Sequence, residues 1–190
     1  MIALGKWTTV KFRAGDDSRE LVDIKIRPVY VDGKVKEFTI GPAHDVTERL
    51  LVAQRAFRLN DSLPQENGPN RWRWQKGGWI LIDRVSGKVQ PVTLPDLDID
   101  NSPVNWFRDY AAYCSASEDG KIFAVIVQLG RRKPLLKKVI ASGTTSCPIP
   151  VWQRDPARVT FEAVGDQKLT FTVKSSSVDI ATDDTSAGEE

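Results

Sequence analysis

Histidine is almost missing from this chain: His44 is the only one in 190 residues. A single imidazole excludes multi-histidine metal sites, and serine- or cysteine-based catalysis would have to be built around that one ring. There is no Gly-x-Ser-x-Gly elbow, no phosphate-binding glycine loop ending in Lys-Ser or Lys-Thr, and no Cys-x-x-Cys pair. No metal or cofactor is therefore expected. Long apolar runs are missing too. Nothing approaches the ~18 residues of a membrane-spanning helix, so membrane insertion is not expected. Met1-Ile2-Ala3-Leu4 is too short and uncharged for a secretory signal. The chain reads as soluble, and as exported only if a signal has been removed. Two cysteines, Cys114 and Cys147, permit one disulfide. It would close a loop of about 34 residues, contribute roughly 3 to 4 kcal/mol and imply an oxidising compartment. The alternative is two buried thiols acting as small hydrophobes.

Hydrophobic residues make up 41% of the chain and charged residues 27%. That is ordinary globular usage and supplies enough apolar surface for a core. The length suits one β domain over residues 1–174, with residues 175–190 as a disordered acidic tail rich in Ser, Thr, Asp and Glu. The net charge of +2 is unevenly spread. Arg131, Arg132, Lys133, Lys137 and Lys138 crowd one stretch, while Asp183, Asp184, Glu189 and Glu190 crowd the end. A solvated face is the ordinary meaning of such a run; the sharper one is an anion-binding surface.

Alternation punctuated by tight turns predicts an all-β fold of twisted antiparallel sheets, sandwich-like or blade-like. Asp32-Gly33, Ser86-Gly87, Glu118-Asp119-Gly120 and Gly165-Asp166 each separate two β-rich runs and mark four hairpins. Further strands are predicted at 7–13, 22–31 and 134–140, and loops at 60–70 and 93–103. The segment 44–60 is ambiguous. Val46, Leu50, Ala53 and Phe57 fit a helical stripe, but Leu51, Ala53, Phe57 and Leu59 fit a strand face, and the β surroundings favour the strand. Gly41-Pro42-Ala43-His44-Asp45 reads as a turn, with Asp45 bonding the backbone.

The run from Trp79 to Val89, an apolar strand ending in Asp, a Gly turn and a β-rich return, resembles the inner hairpin of β-propeller blades. The run from Ser115 to Val125 resembles the Ser-Pro-Asp-Gly-Lys-apolar repeat of WD-like propellers, with Glu118 where proline is usual. The stretch from Arg108 to Lys138 also resembles bacterial proteins without a known activity. About a third of the chain carries this resemblance, which implies blade-like sheets. A complete propeller needs about 40 residues for each of four or more blades, and no repeat of fixed period runs through the N-terminal half.

Arg71-Trp72-Arg73-Trp74-Gln75-Lys76, with Trp79 close behind, alternates cations with aromatics. A strand here puts the tryptophans on one face and Arg71 and Arg73 on the other. Core packing of both tryptophans is the ordinary outcome; if they are exposed together, this is the best binding surface in the chain. Asp96-Leu97-Asp98-Ile99-Asp100 reads as a solvated loop. Asn101 and Phe107 stand where a calcium loop needs glycine and a bidentate glutamate. Together these readings favour a non-enzymatic β scaffold for a protein or a glycan over nucleic acid. The alternatives are a hydrolase using carboxylates such as Asp96, Asp98 or Asp109, and an anionic-polymer binder using the 131–138 stretch.

Overall fold

A computed structural model describes residues 1–13, 20–62, 69–143, 147–162, 168–175 and 177–181. The fold is all-β: every regular element among the described residues is a strand. The length-based expectation of a single domain over 1–174 meets a chain whose contacts gather into two compact units, Met1–Thr93 and Leu94–Glu190.

The first unit contains β1 (Ile2–Leu4), β2 (Thr8–Arg13), β3 (Leu21–Val31), β4 (Lys34–Asp45), β5 (Leu50–Asn60), β6 (Trp72–Asp83) and β7 (Val89–Pro91). The Asp32-Gly33 turn joins β3 to β4, with φ of 49° and 78° at its two residues. Both angles are what a two-residue hairpin turn demands. Strands β2 to β6 pair in sequence, and β6 then pairs with β2, so five strands form a closed ring. In a meander of five, the first and last strands run the same way. The closing pair is accordingly parallel, at Phe12 opposite Trp74.

Cross-strand partners share a face. Phe12 with Trp74, Ile26 with Ile40 and Phe38 with Ala56 supply the cluster of Phe12, Ile26 and Ala56, with Phe38, Ile40 and Trp74 packed on it. The far ends of the same long strands build a second cluster from Val29, Leu51, Ala53, Ile80 and Ile82, flanked by β1 and β7. Register irregularities between Ile40 and His44 and between Gln54 and Ala56 lie where β4 and β5 pass from one cluster to the other. A bulge re-aims side chains at such a handover. Gly41, at φ 62°, sits inside this irregularity, so 41–45 is part of β4 rather than the expected turn. The chain between β1 and β2 runs close over Pro28: a Cβ on Gly5 would lie 2.6 Å from the Pro28 ring. Asp83 ends β6, accepting from Arg49 Nε at 2.9 Å and from the Val85 and Ser86 amides. The Arg49 guanidinium holds this carboxyl far below the usual carboxylate range.

The second unit contains β8 (Asn105–Phe107), β9 (Tyr110–Ala116), β10 (Lys121–Gln128), β11 (Leu136–Ser142), β12 (Val151–Gln153), β13 (Arg158–Glu162), β14 (Lys168–Lys174) and β15 (Ser177–Ile180). They form two antiparallel sheets of four strands, ordered β11-β10-β9-β8 and β12-β13-β14-β15. One cluster draws on both sheets: Tyr110, Cys114, Ala124 and Ile126 with Val159, Phe161, Phe171 and Val173. The Phe161 and Phe171 rings meet edge to face at 5.9 Å. Trp152 donates its indole N–H to the Asn105 carbonyl at 3.0 Å, and Asn105 donates to the Pro150 carbonyl at 2.7 Å. Cys114 and Cys147 are joined as a disulfide, with Cα atoms 6.2 Å apart.

Three expected hairpins and the strands at 7–13, 22–31 and 134–140 have counterparts here. The fourth turn, Gly165-Asp166, lies outside the described residues, although β13 and β14 pair antiparallel. Leu50–Asn60 is a strand; Leu51, Val52 and Ala53 are all buried, which a sheet covered on both faces allows and a helical stripe does not explain. The tail expectation begins too early. Ser177–Ile180 pairs with β14, because Val178 packs against the shared cluster. Residues 182–190 lie outside the described part.

Candidate functional site

Trp72 opens β6, and Trp74 follows two residues later on the same face. Their environments differ. Trp74 packs on the ring cluster and meets Phe38 edge to face at 5.1 Å. Trp72 lies one step beyond that cluster and is 54% exposed. The expectation that both line the core is corrected for Trp72: the strand outruns the apolar cluster that would cover it. Arg58 of β5, directly opposite Trp74, sets its guanidinium carbon 5.4 Å from the Trp72 ring centroid and 5.7 Å from that of Trp74. A cation shared by two indoles fixes both rings, and exposed pairs of this kind contribute about 0.5 to 1 kcal/mol each. The arrangement is an aromatic step edged by a guanidinium. Sequence reading missed Arg58, because cross-strand register decides which cation on β5 meets these rings.

Of the remaining expected residues, Trp79 is half-buried further along β6, opposite Gln54. Arg71 is exposed beside Trp72. Arg73 is not on a wet side: its side chain is 20% exposed and pairs with Asp61 at 3.4 Å. His44 is half-buried opposite Val52. Asp45 is bound to Arg84 at 2.5 Å.

In the second unit, Arg131, Arg132 and Lys133 project from the loop between β10 and β11 and are exposed. Lys137 is bound to Asp96 at 2.8 Å and lies 4.9 Å from the Phe123 ring; Lys138 lies 6.0 Å from the Phe171 ring. The three-aspartate run is occupied locally. Asp98 accepts from the amides of Asp100 and Asn101 at 3.1 and 3.2 Å. Asp109 accepts from Gln128 at 2.8 Å. The described residues contain no group of three or more side chains arranged to hold a metal ion. They also contain no helix long and apolar enough to cross a membrane.

No protein-family model matches the chain, and no match is found among curated proteins or solved structures.

Proposed function

We propose that the chain is a non-enzymatic β scaffold that binds a glycan or a protein segment through the Trp72 face. The single observation that supports this is Trp72 itself, 54% exposed yet held in place by Arg58 beside the packed Trp74. A large exposed indole with restricted motion offers contact area at little entropic cost, which is why tryptophan and arginine dominate binding hot spots. The Cys114–Cys147 bridge favours an oxidising compartment, and hence an exported chain. The two four-stranded meanders of the second unit are read as blade-like sheets. The test is to screen the full chain and its Trp72→Ala variant against a glycan array and a displayed peptide library. The reading requires a ligand captured by the parent and lost by the variant at unchanged melting temperature. Capture of no ligand, or equal capture by both, overturns it.

A second reading is favoured by the exposed Arg131, Arg132 and Lys133, which form no ion pair among the described residues: an anionic polymer bound at the β10–β11 loop. Its affinity would fall steeply with added salt. A flat salt response would remove it.

A further inference from the structure

We propose that a groove beside Trp7 binds an acidic sugar, a pyranose that carries a carboxylate. The groove is open, measures about 530 Å3, and is lined by Trp7, Asp23, Ile24, Lys25, Ile40 and Pro42, with Gly41 at its edge. Its apolar part comes from the Trp7 indole and the Pro42 ring, which suit the C–H face of a sugar, while Ile24 and Ile40 turn their side chains to the ring cluster.

Trp7 is 44% exposed, and the Arg27 guanidinium carbon lies 4.6 Å from its ring centroid. The Arg27 guanidinium lies against the indole and limits its motion, and Arg27 is not among the residues that line the groove. Asp23 and Lys25 stand two residues apart on β3, on one face and about 7 Å from each other. That distance spans a pyranose ring. Asp23 is bound to Lys11 at 2.6 Å through one carboxylate oxygen, which leaves the other to accept from sugar hydroxyls. Lys25 forms no ion pair among the described residues, and its ammonium is the one cation among the groove's lining residues, left available to a ligand carboxylate. A ligand with hydroxyls for Asp23, a carboxylate for Lys25 and a C–H face for Trp7 satisfies all three. A phosphate ester suits the place less well, because its second negative charge adds to the repulsion from Asp23 while Lys25 alone offsets it. This inference stands apart from the Trp72 reading, which involves neither the groove nor Trp7.

The test is to titrate the full chain with sodium glucuronate, with glucose and inorganic phosphate as comparators, and to follow the indole N–H signals by NMR. Saturable movement of the Trp7 signal is expected, with glucuronate at least about tenfold tighter than glucose, a difference of about 1.4 kcal/mol. Trp7→Ala should abolish binding. Lys25→Ala, a change at an exposed position of β3, should remove the preference over glucose even if Trp7→Ala fails to fold. Trp72→Ala should bind glucuronate as the parent does. Equal binding of glucose, equal binding of phosphate, or a silent Trp7 signal would each overturn the proposal.

Discussion

Residues 1–93 close a sheet on itself, whereas residues 94–190 leave two four-stranded sheets open and hold them with a shared cluster and a disulfide. In the ring, backbone hydrogen bonds pair the strands all the way round. In the open sheets, side chains carry that burden. The difference shows in the fate of the aromatics. The second unit spends Phe161, Phe171 and Trp106 on packing, at 0%, 1% and 8% exposure, while the first leaves Trp7 and Trp72 at 44% and 54%. The first unit thus keeps two large indoles at its surface, the ones on which the proposed binding rests.

The largest effect that would sharpen this contrast is Phe161→Ala. Removing a fully buried ring from the cluster serving both sheets should destabilise the second unit by about 3 to 5 kcal/mol in urea melts, leaving the first unit's transition in place. Reducing the disulfide, or replacing Cys147 with Ser, should lower the second unit's stability by about 2 to 4 kcal/mol and leave the first unaffected. Indifference to reductant would mean that the bridge is not part of what holds the open sheets. Trp74→Ala should cost about 2 kcal/mol in the first unit, less than a fully buried ring, since the indole is only partly buried against the ring cluster.

The smallest effect concerns the β9–β10 turn. Lys121, at 2.5 Å, and the Ser117 hydroxyl hold the Asp119 carboxyl down to about 2. A depressed value means that its stabilising contribution is complete above the unfolded value of about 3.9 and is lost as pH falls toward 2. Carboxyl-carbon NMR should place the midpoint there, and Lys121→Ala should raise it. An unchanged midpoint in the variant would show that Lys121 is not the cause.

Much of the strand framework was legible because its turns are written locally: Asp32-Gly33 and Gly120 need positive φ, and glycine and aspartate supply it. Ring closure was not legible. It depends on one parallel contact, Phe12 with Trp74, between strands separated by about sixty residues of chain, and no local pattern encodes such a pairing. The short strands β1, β8, β12 and β15 escaped for the same reason, being three or four residues long and defined by their partners. Of the candidate site, the tryptophans were legible by residue type. The cations that hold them, Arg58 and Arg27, were not, since register alone brings them to the rings.

The proposed binding requires Trp72 to be presented to a ligand rather than used by the fold. Urea denaturation of Trp72→Ala beside Trp74→Ala tests this most directly, because the two residues share a strand, a face and the same arginine. Trp72→Ala should lose about 0.5 to 1 kcal/mol, the value of the Arg58 contact, against about 2 kcal/mol for Trp74→Ala. Equal losses in the two variants would contradict that requirement.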